Sequence, residues 1–249
     1  MSRFLSLVLL LTLTTATPAA IITSGGYTAT DEVPFAFTDL AASPGASRAF
    51  LGSDSGMQQV NIGFAFTLFG TTHTTAGLTV DGVLTFPLAT GIPLTNQNLL
   101  TTTSPILPAM IAPWWDDLWM LNGILHQTLG APGARRFVVQ WTGFSFSDRI
   151  DQLSFQLVLE EGTNAIELRY LDATNAHPII SRGGSATVGI RDVNAHRTGN
   201  VLQWSFNQPV LRDGETIRIV PLPEPSSVVL LAVGGVVVWA GRRWRRCVR

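Results

Sequence analysis

Two adjacent aspartates among tryptophans form the most conspicuous candidate site in the sequence, which contains Trp114, Trp115, Asp116, Asp117 and Trp119 within six positions. Neighbouring carboxylates among aromatic rings could ligate calcium through oxygen, or could bind a sugar whose ring stacks on an indole face. Calcium takes about six to eight oxygen ligands, and the chain has no aspartate-rich loop with that spacing. We therefore predict that the aspartates cap turn amides and that the tryptophans fill the core, with ligand binding by these five residues as the alternative.

Other catalytic or metal-binding patterns have little support in the chain. The segment Gly143-Phe144-Ser145-Phe146-Ser147 lacks the final glycine of a nucleophile elbow, and no glycine-rich phosphate loop is present. No two histidines stand at a metal-ligand spacing; they are His73, His126, His177 and His196. The sequence therefore predicts a protein that is not an enzyme and that uses neither a metal nor a cofactor.

Alternating apolar and polar residues predict that short β-strands position these side chains. The predicted strands are residues 60–68, 78–80, 83–86, 136–141, 153–160, 166–170, 186–191, 202–206 and 216–220. Asp81-Gly82 predicts a two-residue hairpin turn, residues 161–164 predict a second turn, and residues 90–108 predict a long loop. So many short strands indicate one all-β body over residues 21–220, an antiparallel two-sheet β-sandwich or jelly-roll-like fold.

The formal net charge of −1 conceals an acidic body, because five of the 16 basic residues lie in the last eight positions. Without these five and Arg3, 10 arginines face 17 acidic residues. A surface with this excess repels nucleic acid phosphates, so a nucleic-acid partner is not expected. The one cysteine, Cys247, lies near the C-terminus, so the body has no disulfide available and depends on its core.

The N-terminus has the three parts of a secretory signal. Arg3 provides a short positive region, an apolar run extends from Phe4 to Leu13, and small residues end at Ala19-Ala20. The apolar run is short for a membrane span and has no polar face. We predict a signal peptide over residues 1–20 that is cleaved after Ala19 or Ala20.

The C-terminus, residues 221–249, predicts a single membrane-spanning helix. Pro223-Glu224-Pro225 disfavours helix on its N-terminal side, so a helix can begin at Ser226 and extend to Ala240. Fifteen residues at about 1.5 Å each fall short of a hydrocarbon core of about 30 Å, so flanking arginines must snorkel or the bilayer must thin. The arginines of residues 241–249 place that end in the cytoplasm and the body outside; the four that flank the span are Arg242, Arg243, Arg245 and Arg246.

This tail resembles the PEP-CTERM sorting signal of Gram-negative bacteria. Pro223-Glu224-Pro225, the apolar segment and the arginine cluster occur in the same order at the extreme C-terminus. The resemblance implies that a membrane-embedded exosortase cleaves near the Pro-Glu-Pro motif and releases the body to the cell surface or matrix. A permanent anchor is the alternative.

Six short stretches of the body occur in order along the chain: residues 61–70, 80–86, 111–118, 137–141, 155–160 and 187–190. On these stretches the body resembles the extracellular nidogen-like domain, over roughly residues 60–191. The resemblance implies an extracellular β domain of matrix or adhesion proteins and supplies no catalytic residues.

Together these patterns predict an exported, non-enzymatic protein of the cell surface, outer membrane or biofilm exopolysaccharide matrix, with an adhesive or structural role. Its precursor is expected in the inner membrane, with the export machinery and an exosortase as partners and exopolysaccharide as a further one. The first alternative is a carbohydrate-binding module that uses exposed Trp114, Trp115 or Trp119. The second is an enzyme on a jelly-roll scaffold, which needs carboxylates or histidines that converge in a cleft.

Overall fold

The secondary structure of the chain consists mainly of β-strands. This agrees with its many β-branched and aromatic residues, which alternate with turns that contain glycine and proline. The computed structural model describes residues 20–89, 91–103, 107–145, 149 and 151–223. The strands are β1 (Ile21–Ser24), β2 (Tyr27–Thr30), β3 (Ser47–Ala49), β4 (Met57–Leu68), β5 (Thr71–Thr79), β6 (Leu84–Phe86), β7 (Ala109–Trp115), β8 (Leu118–Trp119), β9 (Ile124–Leu129), β10 (Arg136–Ser145), β11 (Leu153–Glu160), β12 (Ile166–Asp172), β13 (Thr187–Arg191), β14 (Val201–Phe206) and β15 (Glu215–Pro221). Leu40–Ala42 and Ser181–Gly183 form 3₁₀ turns, and α1 (Ala195–Thr198) is a one-turn helix.

The strands form two antiparallel sheets. The first sheet has the order β1-β2-β15-β12-β11-β10-β9-β3, with β8 also paired to β10. The second sheet has the order β14-β13-β7-β6-β5-β4. Consecutive hairpins build most of each sheet, and β13 and β14 return the chain to the second sheet before β15 rejoins the first. The prediction of an all-β body with two antiparallel sheets is confirmed.

Two predicted segments lie outside the described residues: the signal peptide, apart from Ala20, and the membrane helix with its arginine cluster. Glu224 and Pro225 of the sorting motif also lie there, whereas Pro223 is described and exposed. Among the described residues, no helix has the length and apolar character that crossing a membrane requires.

Most predicted strands are present, with some ends displaced. β11 has the predicted ends, β4 begins earlier at Met57, and β10 continues past residue 141 to Ser145. The sequence pattern missed β1, β2, β3, β7, β8 and β9, because each is short or lacks strict alternation. The predicted loop holds, since residues 91–103 contain neither a helix nor a strand.

The hairpin at Asp81-Gly82 forms with a longer connection than predicted. Thr79 N donates to Val83 O over 3.1 Å, so residues 80–82 span the turn and the two-residue prediction is wrong. Gly82 has φ +66°, and a Cβ there would lie 1.9 Å from the carbonyl oxygen of Trp114. Only glycine fits this approach of β7 to the turn.

Aromatic side chains fill the space between the two sheets. Phe155 of the first sheet stacks on Trp141 at 5.3 Å and on Trp114 of the second sheet at 5.8 Å. Two polar side chains of this interior bond across the sandwich. Trp141 Nε1 donates to Thr79 O over 3.0 Å. Tyr170 Oη likewise donates to Pro113 O over 2.8 Å. Aromatic packing holds the two sheets together, and these directional hydrogen bonds also fix the position of one sheet relative to the other.

Other segments of the chain also cover the outer faces of both sheets. The alternation of apolar and polar residues in the sequence did not predict this covering. The outer face of the second sheet carries Met110, Ala112 and Trp115, which form a separate apolar cluster with Leu99 from the 91–103 loop. On the outer face of the first sheet, Val138 and Val158 pack with Leu40 of a 3₁₀ turn. For this reason β7 and most of β11 are buried on both faces.

A pair of buried glutamines holds residues 38–40 against the first sheet. Gln140 and Gln156 are direct partners on β10 and β11. Gln140 Oε1 accepts from Leu40 N over 2.9 Å and from Gln156 Nε2 over 3.0 Å. Gln156 Oε1 accepts from Thr38 N over 3.2 Å, and Gln156 Nε2 also donates to Thr38 O. The two amides therefore satisfy backbone groups that the sheet ladder cannot reach.

This arrangement predicts a large effect of Gln156→Leu on stability. The substitution leaves Thr38 without its partners and removes one bond from Gln140, so it should lower the free energy of unfolding by roughly 2–4 kcal/mol. Urea titration measures this, and hydrogen exchange should speed up at the amides of Thr38 and Leu40. The control is Gln59→Leu at an exposed position of β4, where the change should stay within about 0.5 kcal/mol. Equal losses in both variants would contradict the role of the glutamine pair.

Candidate functional site

The predicted tryptophan–aspartate site begins at the end of β7, where alternation sends the two tryptophans to opposite faces. Trp114 lies between the sheets and Trp115 lies in the outer apolar cluster, both at 0% exposure. Trp115 Nε1 donates to Pro93 O over 3.1 Å, which ties the 91–103 loop to the second sheet. Neither indole offers a face to a sugar, so the alternative with exposed Trp114 and Trp115 is wrong, and both residues are part of the core.

Asp116 forms hydrogen bonds within the protein at the turn after β7. Its Oδ2 accepts from Ser185 Oγ over 2.5 Å, and its Oδ1 accepts from Asp117 N over 2.9 Å. Burial raises the pKa of Asp116 to about 6, while its two hydrogen bonds act in the opposite direction. These bonds are those of a turn-capping aspartate.

Asp117 and Trp119 are the more accessible members of the predicted set. Burial raises the pKa of Asp117, Asp54 raises it further, and Arg149 lowers it. The guanidinium carbon of Arg149 lies 4.5 Å from the centre of the Trp119 ring, within cation–π range. Phe144 lies 5.8 Å from the same ring. Trp119 is therefore half-buried, with one face taken by an arginine.

A further carboxylate near this site belongs to Asp81, a residue that the sequence pattern placed in a hairpin turn. Asp81 is 4% exposed, and its Oδ1 accepts one long bond of 3.4 Å from Leu118 N. Burial raises the pKa of Asp81 to about 7, and the nearby charges of Asp117, Asp116 and Asp54 contribute to the rise. A cavity of about 220 Å³ adjoins it, lined also by Thr79. Within the described ranges, no three His, Cys, Asp or Glu side chains are grouped so that they could hold a metal ion.

A larger concave surface lies on the outer face of the first sheet, and we call it the outer groove. Its volume is about 770 Å³. Gln140, Thr142 and Ser154 from β10 and β11 are part of its floor. Its other lining residues are Phe37, Asp39, Ala41, Arg48, Asn122, Gly123, Leu125, Gln152, Leu171, Asp172 and Asp213. The groove lies beside the segment that the two glutamines hold in place.

The charges of the outer groove are mostly negative. Asp39, Asp172 and Asp213 line it together with a single arginine, Arg48, which donates to the backbone oxygen of Asn122. Burial and the neighbouring Asp213 raise the pKa of Asp172. The Asp213 carboxylate is held by backbone amides, with 2.8 Å from Ala173 N and 3.1 Å from Thr174 N. The lining includes neither histidine nor cysteine, and its polar groups are carboxylates, amides, hydroxyls and one guanidinium.

Sequence reasoning missed the outer groove because its residues come from distant parts of the chain. Thr142 and Ser154 are ordinary polar positions of alternating strands, and Phe37 lies in a segment without periodicity. One feature of the sequence could have indicated the groove: Gln140 and Gln156 are long amide side chains at outward positions of central strands. Their burial depends on residues 38–40, which are about 100 residues away in the sequence.

The raised pKa of Asp81 predicts an unusual pH dependence of stability. The folded chain keeps the Asp81 proton up to a pH of about 7, whereas an unfolded aspartate loses it near 3.8, so this contribution is full at low pH and is lost as pH rises through 7. Asp81→Asn cannot ionise, and from pH 4 to pH 8 it should gain roughly 2–4 kcal/mol in unfolding free energy relative to the wild type.

Urea titrations of both proteins at several pH values measure the difference. Asp117→Asn is the matched control, since it removes a neighbouring charge and should move the pH dependence without abolishing it. A constant difference between wild type and Asp81→Asn across this pH range would contradict the prediction.

Comparison with known proteins identifies the family of the chain. No curated protein and no solved structure matches the chain. A family model described as NIDO related, that is, nidogen-related, matches residues 26–228 and so covers nearly all of the described sandwich. This match is compatible with an extracellular, non-enzymatic protein. The chain belongs to the NIDO-related family.

Proposed function

We propose that the chain is the precursor of an exported, non-enzymatic protein of the bacterial cell surface or exopolysaccharide matrix, in which the β-sandwich has an adhesive or structural role. An exosortase recognises its PEP-CTERM-like tail in the inner membrane and cleaves near Pro223-Glu224-Pro225. The signal peptide delivers the chain to the export machinery, and the mature body is found outside the cell.

The position of the motif relative to the folded body is the observation that carries this proposal. Leu222 N donates to Gly26 O over 2.8 Å, next to the pairing of β15 with β2. This bond lies one residue before Pro223, and Pro223 itself is exposed. A protease can therefore reach Pro223 without unfolding the sandwich, and the bond from Leu222 to Gly26 is kept after cleavage beyond this residue.

The family and the acidic, cysteine-free body agree with this function. A nidogen-related family fits an extracellular protein. The excess of carboxylates over arginines in the body keeps an exported protein soluble, and a fold that depends on its core needs no disulfide oxidation after export.

The arrangement of the candidate groups favours binding over catalysis. Asp116 bonds with Ser185 and the turn backbone, while His73 and His126 pack against Phe86 and Phe137. Burial lowers the pKa of both histidines. Among the described residues no nucleophile is hydrogen-bonded to a histidine base, which supports the non-enzymatic proposal over a jelly-roll enzyme.

Processing of both ends is the direct test of the proposal. Mass spectrometry of the protein from its native host should show the loss of Met1 to about Ala20 and of the arginine tail. Replacement of Pro223, Glu224 and Pro225 by alanine should leave Arg242 to Arg249 attached and keep the chain in the inner-membrane fraction. Leu222→Ala is the matched control and should be processed normally. A mature extracellular form that retains Arg242 to Arg249 would rule out the proposed cleavage.

A further inference from the structure

We propose that the outer groove is a binding site for an uncharged, hydroxyl-rich oligosaccharide segment. This inference rests on the proposed extracellular function, for which it names a ligand class and a surface. It assigns binding to residues of β10, β11 and the segment before the first 3₁₀ turn, and not to the tryptophan–aspartate site.

The floor of the groove can contact a ligand only through side chains. The floor residues sit in the middle of the first sheet, where Thr142 pairs with Ser154 and Gln140 pairs with Gln156. β11 lies between β10 and β12, and the far side of β10 is flanked by β9 up to Gln140 and by β8 from Phe144, so the floor offers no free sheet edge. An extended peptide therefore cannot add to the sheet here as an extra strand, which disfavours a peptide ligand.

Neutral donors and acceptors remain available on this floor. Gln140 is 94% buried, and its Nε2 donates one long bond of 3.5 Å to Thr142 Oγ1, which leaves its second hydrogen without a partner among the described residues. The hydroxyls of Thr142 and Ser154 are 3.4 Å apart, a weak mutual bond. A hydroxyl both donates and accepts, so these groups match the hydroxyls of a sugar.

An apolar surface borders the polar floor. Leu171, which is 47% exposed, and the half-buried Phe37 both line the groove. Phe37 stacks on Phe35 with ring centres 6.3 Å apart. A sugar has an apolar face of C–H groups as well as polar edges, so a floor of hydroxyls beside an aromatic ring suits it.

The surrounding charges select against an acidic ligand. Asp39, Asp172 and Asp213 line the groove against Arg48 alone, so a polysaccharide that bears carboxylates is repelled. The floor itself carries uncharged groups, and two of the carboxylates already accept backbone N–H bonds, Asp39 from Ala41 N and Asp213 from Ala173 N. The lining therefore disfavours anionic sugars, and the uncharged groups of the floor match the hydroxyls of an uncharged sugar.

The experiment measures binding of the full-length chain in detergent to defined oligosaccharides by titration calorimetry. The uncharged probes are cellohexaose and dextran hexasaccharide, the anionic probe is hexamannuronate, and the cationic probe is hexameric chitosan. We expect an uncharged probe to bind most tightly. The double variant Thr142→Val with Ser154→Ala removes the floor hydroxyls and should weaken this binding about tenfold.

The matched control is Thr67→Val with Thr72→Val, which removes a cross-strand hydroxyl pair, 3.1 Å apart, on the second sheet and should leave binding unchanged. If the floor variant fails to fold, Phe37→Ala, at the groove wall, replaces it with the same expected loss. The inference is overturned if no uncharged probe binds, if a charged probe binds more tightly, or if the groove variant binds as well as the control. Export and tail processing are measured separately, so a chain that is processed and secreted without binding sugar would overturn this inference alone.

Discussion

The face-to-face packing of the two sheets is the constraint on which the rest of the structure depends. Its centre is the stack of Trp114, Phe155 and Trp141, which buries large aromatic surfaces from both sheets. The indole of Trp141 and the phenol of Tyr170 must also find acceptors in this dry interior, and they find them on the opposite sheet. Because the body has no disulfide, this combination of apolar packing and directed bonds is what fixes one sheet against the other.

The covering of the outer faces follows from that packing. Strands such as β7 and β11 carry apolar or neutral side chains on both faces, so a two-layer sandwich alone would leave Val158 or Trp115 in water. The chain covers these positions with irregular segments, the 91–103 loop on one side and the turn at Leu40 on the other. Such segments carry unpaired backbone groups, which the glutamine pair and the Trp115 indole satisfy.

The outer groove exists where one of these covering segments ends. The segment closes over Val138 and Val158 and reaches the glutamines, and the next outward pair along the strands, Thr142 and Ser154, lines the groove. Stability and the proposed binding therefore depend on neighbouring positions on the same two strands. The carboxylates at the tryptophan site have a different role, since they bond with the turns between β5, β6, β7 and β8 and carry raised pKa values because they are buried together.

The sequence by itself determined the strand content and most of the central strands, because these depend on local periodicity and composition. The export and sorting signals at the two ends stay predictions of the sequence. The sequence allowed two interpretations of Trp114 and Trp115, a role in the core and a role in sugar binding. Only the tertiary structure decided for the core, because the burial of a side chain depends on which segments cover its strand. The burial of Asp81 and the groove beside Gln140 likewise depend on segments that are distant in sequence. The alternation of residues within one strand cannot predict such contacts.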